Sequence, residues 1–442
     1  MANKSTFTLL TLALTLLYGC QAPMVQWYAQ PFVHADDSLA DKAMAPAIAI
    51  SDSYAFVGVP WEENGHIGVD TNAWATGVTY ILKNDHAGHW QETQQITASD
   101  KGPLNFFGCA VALANEWAVI GAKLKTIPNA QEQKIIGAGG AYVFHLDATG
   151  AWKETSKLED PTAAATPWQC FGHGVAIAGS FIAVSAPYKD CVSSQGDTIL
   201  GAGQVFIYQF DGLDNWEIKQ IIEPPVLQRH GSFGSSLAME NNLLLIGAPG
   251  ATPKNKGNDS LQRNTGTAYV FTRNPSSNGW ELQAELAASD GQAGDQFGLA
   301  VAVNEGVLAI GAPPKKHHSY ARGSVYVFKP SRSGDWVTEK TINGDGDFGS
   351  SIALVKDLMV IGSPRGGKDG LSYLFHTAKR HYEIGADTLR TPQGAQSRFF
   401  GSTVATNGEA VVVSQYQSYT HFYEKENSVG LVYLFTPVKK GE

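Results

Sequence analysis

Short apolar runs alternate with polar or glycine-rich links along the chain, and the runs recur in a fixed order. Phe-Gly pairs stand at 107–108, 171–172, 233–234, 297–298, 348–349 and 400–401. Each opens an alternating stretch of small apolar residues, such as Ala110-Val111-Ala112 or Leu299-Ala300-Val301. A second run follows and ends in Gly-Ala-Pro or a variant, as in Ile246-Gly247-Ala248-Pro249, Ile310-Gly311-Ala312-Pro313 and Ile361-Gly362-Ser363-Pro364. A third places two aromatics after a glycine: Gly266-Tyr269-Phe271, Gly323-Tyr326-Phe328, Gly370-Tyr373-Phe375 and Gly430-Tyr433-Phe435. The fourth opens on tryptophan and has an aliphatic residue six later: Trp90/Ile96, Trp152/Leu158, Trp216/Ile222, Trp280/Leu286 and Trp336/Ile342. Alternation at period two predicts strands. Because every spacing within a segment is even, its repeated residues are expected to share one face.

A seventh copy stands at the start, where Ala47-Ile48-Ala49-Ile50 matches Ala110-Val111-Ala112-Leu113 and Met44-Ala45 takes the place of Phe-Gly. Copies therefore begin near 44, 107, 171, 233, 297, 348 and 400, spaced by 63, 64, 62, 64, 51 and 52 residues. Seven copies of four strands predict an all-β fold, a seven-bladed β-propeller of antiparallel blades, because one blade cannot bury its faces alone. The last copy has three segments. Trp27 precedes Met44 by the same 17 residues that separate Trp90 from Phe107, so residues 25–34 are expected to supply the missing outer strand of the last blade. First strands rich in Ala, Val and Gly suit the crowded axis, and aromatic third and fourth strands suit the widening wedge between blades.

Phe-Gly followed by Gly-Ala-Pro, recurring in register from about Trp27 to Phe435, resembles the FG-GAP repeats of the integrin α-subunit propeller and its bacterial relatives. The resemblance implies a seven-bladed propeller used for protein or glycan contacts, sometimes in adhesion. Integrin-like blades often carry an aspartate-rich calcium loop between their first two strands. Here those links are short, such as Asn115-Glu116 and Asn241-Asn242, with too few carboxylates for a calcium shell. Asn343-Gly344-Asp345-Gly346-Asp347 has a metal-like pattern but precedes a Phe-Gly and lies in a different link. No metal and no cofactor are expected.

Composition changes the picture mainly at the N-terminus. Lys4 precedes an apolar run, Phe7 to Leu17, interrupted only by threonines. That is too short to span a bilayer and fits a signal-peptide core. It leads into Leu17-Tyr18-Gly19-Cys20, which resembles a bacterial lipobox, with Tyr18 departing from the small residue usual there. The resemblance implies a signal segment 1–19, lipidation of Cys20 and, with Gln21 following, an outer-membrane anchor. Ordinary secretory cleavage near Ala22 is the alternative. Residues 20–436 then form one propeller and 437–442 a short tail. A formal net charge of −9 offers no basic field for nucleic acid.

Because strands alternate in direction, the links between second and third strands emerge on the same face as the links between blades. They are the long ones, and long loops on a rigid scaffold are where binding resides. Blades five and six place Lys315, Lys316, His317, His318, Arg322, Arg365 and Lys368 there, a basic cluster suited to an anionic partner or glycan, or simply a solvated surface. Blades seven and one place Tyr416, Tyr419, Phe422, Tyr423, Trp61 and Trp74 there, suited to a protein hot spot or sugar stacking, or to loops packing on themselves.

Cys109, Cys170 and Cys191 fall on the same face. A Cys170–Cys191 disulfide would tether a long loop, and Cys170-x-x-His173 is a weak zinc pattern. No Gly-x-Ser-x-Gly, P-loop or His-Glu-x-x-His occurs. The sequence therefore reads as an exported, lipid-anchored, non-catalytic module of the cell envelope that binds a protein. The alternative is a carbohydrate-binding or carbohydrate-active propeller.

Overall fold

The computed structural model describes residues 27–33, 47–61, 75–85, 88–128, 132–162, 166–213, 215–253, 264–314, 322–378, 387–391, 399–415 and 432–437. These residues form an all-β molecule with seven sheets of four antiparallel strands. Blade one comprises Ala47–Ile50, Tyr54–Val59, Val78–Asn84 and Trp90–Ile96. Blade two comprises Phe107–Ala114, Trp117–Ala122, Gly140–Leu146 and Trp152–Leu158. Blade three comprises Val175–Ala178, Phe181–Ala186, Gln204–Phe210 and Trp216–Ile222. Blade four comprises Ser236–Glu240, Leu243–Ala248, Thr267–Arg273 and Trp280–Leu286. Blade five comprises Ala300–Asn304, Val307–Ala312, Arg322–Pro330 and Trp336–Asp345. Blade six comprises Ser351–Val355, Leu358–Ser363, Leu371–His376 and Asp387–Leu389. Blade seven comprises Val404–Thr406, Val411–Ser414 and Val432–Pro437, and its fourth strand is Trp27–Val33. That strand runs antiparallel to Val432–Pro437 from Trp27↔Pro437 to Val33↔Val432. Inner strands touch their neighbours all round the axis, the seventh touching the first.

The core is divided among the seven seams between blades. One apolar cluster fills each, from Phe56, Ile81, Ile120 and Phe144 between blades one and two to Val57, Tyr80, Val412 and Leu434 between blades seven and one. A strand whose two faces both look into a seam must be apolar throughout. Phe181–Ala186 and Leu358–Ser363 are buried at every residue for this reason. The Phe-Gly phenylalanines are wholly buried. Each meets the aromatics of its own third strand edge-on or tilted, as Phe107 meets Tyr142 at 5.5 Å and Phe297 meets Tyr326 at 5.3 Å.

The motif glycines let adjacent backbones touch. A Cβ on Gly121, in the Gly-Ala position of blade two, would collide with the carbonyl oxygen of Gly172 in blade three. A Cβ on Gly139, which opens the third strand at φ +86°, would collide with the Phe171 carbonyl. Gly139 and Phe171 are joined there by a parallel bridge. The repeat is therefore the signature of a seam. In blade three the Gly-Ala glycine is replaced by Ser185, whose Oγ accepts from the Gly174 amide at 2.9 Å.

One expectation fails in the outer strands. Trp152 faces the seam with blade one, whereas Leu158, six residues on, faces the seam with blade three. The pairing slips between Val143↔Ser156 and Phe144↔Glu154, leaving Thr155 as an extra residue. This β-bulge exchanges inside and outside along the strand. The same slip recurs in blades one, three, four and five. An even spacing there joins opposite faces, and the outer strands of blades one to five each serve both of their seams.

Candidate functional site

The candidate site lies on the long-loop face, at blades two and three. Their loops between second and third strands fold into small ribbons: Ile127–Pro128 pairs with Lys134–Ile135, and Cys191–Val192 with Thr198–Ile199. The link entering blade three docks on the loop of blade two. The amides of Trp168, Cys170 and Phe171 donate to the carbonyls of Ile136, Gly137 and Ala138, each at 3.0 Å. Satisfying all three requires the chain to wind left-handed at Trp168 (φ 64°) and Cys170 (φ 57°). The link entering blade two does the same at Leu104 (φ 60°) and Phe106 (φ 57°). A bulky residue with positive φ is strained by about 1–3 kcal/mol and persists only where its surroundings dictate it.

This winding turns side chains outward three residues before the Phe-Gly. Trp168 is 56% exposed and Leu104 41%. In the loops of blades two and three on the same face, Ile136, Tyr188 and Val192 are exposed at 49%, 48% and 65%. Trp168 lies against Gly137, and Tyr188 meets the edge of His173 at 5.8 Å. Five large apolar side chains exposed on one face of two neighbouring blades differ from singly scattered ones, which need no explanation.

Beneath them burial favours the uncharged forms of the titratable groups. Burial pushes the thiols of Cys109, Cys170 and Cys191 up, the last two to about 11, so they stay protonated. Burial, aided by the neighbouring Lys123, pushes His173 down to about 4, and its buried Nδ1 has no hydrogen-bond partner in the structure. Among the described residues no group of three His, Cys, Asp or Glu is placed to hold a metal ion, and Cys170-x-x-His173 forms no such site. The three thiols are free. The expected Cys170–Cys191 tether is therefore not formed. Cys170 is held in the link before Phe171, while Cys191 Sγ points to the Gly203 carbonyl at 3.5 Å within its own ribbon.

Two buried lysines brace the platform from equivalent places, three residues after Ala122 and Ala186. Lys125 Nζ sits 3.0 Å from Asp100 and 2.6 Å from Glu159, joining the exits of blades one and two. Lys189 Nζ sits 2.5 Å from Asp160 and 3.1 Å from Gln169 Oε1. Burial works to raise the Asp100 carboxyl, but hydrogen bonds from Tyr142, Lys125 and Lys157 outweigh it and hold the group down at about 2.

The structure distributes the residues singled out from sequence unevenly. Trp61 is half-buried and packs edge-on against Phe106 at 4.3 Å, so it braces the seam between blades one and two. Arg322 pairs with Asp345 at 3.3 Å and Arg365 with Asp347 at 2.5 Å, so the aspartates of the metal-like run face arginines. Lys368 is exposed. Cys20, Trp74, Lys315, Lys316, His317, His318, Tyr416, Tyr419, Phe422 and Tyr423 lie outside the described residues. Leu104, Ile136, Trp168, Tyr188 and Val192 do not stand out in the sequence because they lie singly or beside one other apolar residue in otherwise polar or glycine-rich links. The offset of Leu104 and Trp168, three before a Phe-Gly, is the signal that could find them.

Comparison with known proteins bears on the architecture. The FG-GAP repeat family model matches residues 90–144 and 280–328. Both matches run from the outer strand of one blade through the first three strands of the next. The chain is similar to the crystal structure of Saccharomyces cerevisiae Sqt1 at 10% identity and a TM-score of 0.46, covering 93% of this chain and 98% of that one. It is also similar to a protein from Lactobacillus plantarum at 11% identity and a TM-score of 0.46, covering 82% and 87%. No curated protein matches. On its sheets and its two matched segments, the chain is a seven-bladed β-propeller carrying FG-GAP repeats.

Proposed function

We propose that this propeller is a non-catalytic interaction module of the cell envelope, exported and lipid-anchored at Cys20, that binds a protein through its long-loop face. The observation that carries the binding reading is Trp168. A large aromatic held outward in a strained left-handed backbone, on a face that exposes four other large apolar side chains, resembles a preformed hot spot. The protonated thiols and the neutral His173, whose Nδ1 has no hydrogen-bond partner, support a binding rather than a catalytic role. The export and anchor rest on the apolar run before Cys20.

A photo-crosslinking residue placed at Trp168 in cells is expected to give a discrete protein adduct. The same residue at Glu305, in a short turn on the opposite face, should give none. Equal adducts at both positions, or none at 168, would overturn the reading. Glycan-array binding lost on Trp168→Ala would favour the carbohydrate alternative instead. With the photo-crosslinking residue moved to the exposed Val192, Trp168→Gly is expected to abolish the adduct while holding stability within about 1 kcal/mol, since relief of strain offsets the added freedom of the unfolded chain. For the anchor, labelled palmitate should enter the chain and be lost on Cys20→Ala; no incorporation would discard it.

A further inference from the structure

At the outer rim, glutamines clip neighbouring blades together. Between blades one and two, Gln94 Nε2 donates to the Trp152 carbonyl at 2.8 Å, and its Oε1 accepts from the Trp152 amide at 2.9 Å. Between blades three and four, Gln220 bridges the peptide groups of Trp280 in the same way, at 2.9 and 2.7 Å. Each glutamine stands two residues before the aliphatic residue closing its outer strand. Between blades four and five that position is Ala284, which ends at Cβ and can make neither bond.

Ala284 and Trp336 still pack against the apolar cluster of that seam, but its rim is recessed there. Gln283 accepts from the Trp336 indole N–H at 3.2 Å, and a recess of about 470 Å³ separates Gln283–Leu286 from Ser333–Trp336. The Ser331 amide closes its hairpin on the Asp335 carbonyl at 2.7 Å, as the Asp147 amide does on Ala151 at 2.8 Å. Trp336 therefore occupies the hairpin position of Trp152, with its peptide N–H and C=O directed away from the third strand. Between blades two and three Ser156 takes the clip position and Trp216 remains buried. Trp336 instead is half-exposed and offers its ring as a wall.

We propose that this recess is a receptor for a primary carboxamide, the side chain of a glutamine on a polypeptide partner. The carboxamide would supply from outside the two hydrogen bonds that Gln94 and Gln220 supply within the ring. The ring of Trp336 and the side chain of Leu286 suit the methylenes of such a side chain, and the carboxylates of Glu285 and Asp335 beside the recess disfavour its acidic isostere. The site lies on the rim and stands independently of the long-loop face.

The full chain labelled with 5-fluorotryptophan provides the test, with the Trp336 resonance assigned through Trp336→Phe. An acetylated, amidated alanine pentapeptide with a central glutamine is expected to shift that resonance saturably, while its glutamate and methionine counterparts leave it unmoved. Free glutamine shifting it equally would place all recognition in the carboxamide and uphold the proposal. Ala284→Gln, which builds the clip internally, should abolish the shift and raise the melting temperature. Ala284→Leu, which fills the space without the hydrogen bonds, should abolish the shift as well. No saturable shift, an equal response to the methionine peptide, or a response that survives both substitutions would overturn it.

Discussion

Gly139 and Gly150 have nearly the same backbone, φ +86° and +84°, yet only one is hemmed in. Nothing lies within 4 Å of a Cβ built on Gly150, whereas one on Gly139 strikes the Phe171 backbone. Gly150→Ala should cost about 1 kcal/mol for its positive φ alone. Gly139→Ala must push adjacent blades apart and should cost about 3 kcal/mol or more, by urea unfolding. His173 makes a second residue-level prediction. Its folded pKa of about 4 lies below the ordinary 6.5, so between those values the unfolded chain binds a proton that the folded ring refuses. Stability should therefore fall as pH drops through that window and be insensitive to this group above it. His173→Gln should remove that slope. The motif glycines are legible in sequence because they recur at fixed offsets. The left-handed Leu104 and Trp168 are not, because a leucine or tryptophan carries no mark of an unusual φ.

Among the elements, the outer strand departs furthest from what alternation implies. Its Trp and aliphatic positions are periodic, and such periodicity implies one face. The bulge at Thr155 and its counterparts converts it into two. A one-residue slip is invisible to spacing because it depends on the partner strand, which has no extra residue of its own. The bulge lets a single strand seal both seams, and the glutamine clips then fasten its start to the blade before. Gln94→Ala removes two buried-edge hydrogen bonds and should cost about 1–2 kcal/mol. The same substitution at Gln283 leaves the peptide bonds of Trp336 unchanged and should cost less.

For the whole molecule, the repeat makes the ring legible, since seven copies in register leave few other architectures. The exposed apolar group on blades two and three is not legible, since it assembles from links far apart in sequence. The pairing of Trp27–Val33 with Val432–Pro437 supports our proposal that the first strand fastens the ring. Deleting residues 27–33 should expose the edge of the last blade and lower the melting temperature of the entire ring in one transition. A truncated chain that melts as the full one does would refute that role. Joining such distant segments is less costly than their separation suggests, because loop-closure entropy grows only with the logarithm of length.

The matched repeats begin at an outer strand and end inside the following blade, so each of the two is shared between two sheets. Cutting the circle at any turn between third and fourth strands would therefore give a chain with the same interlock, moved to the blade that is cut. Rejoined through a linker and reopened at Gly150, the ring would become a circular permutant in which blade two, not blade seven, is stitched from both ends of the chain. An added or lost repeat would likewise change the number of blades and leave the interlock intact.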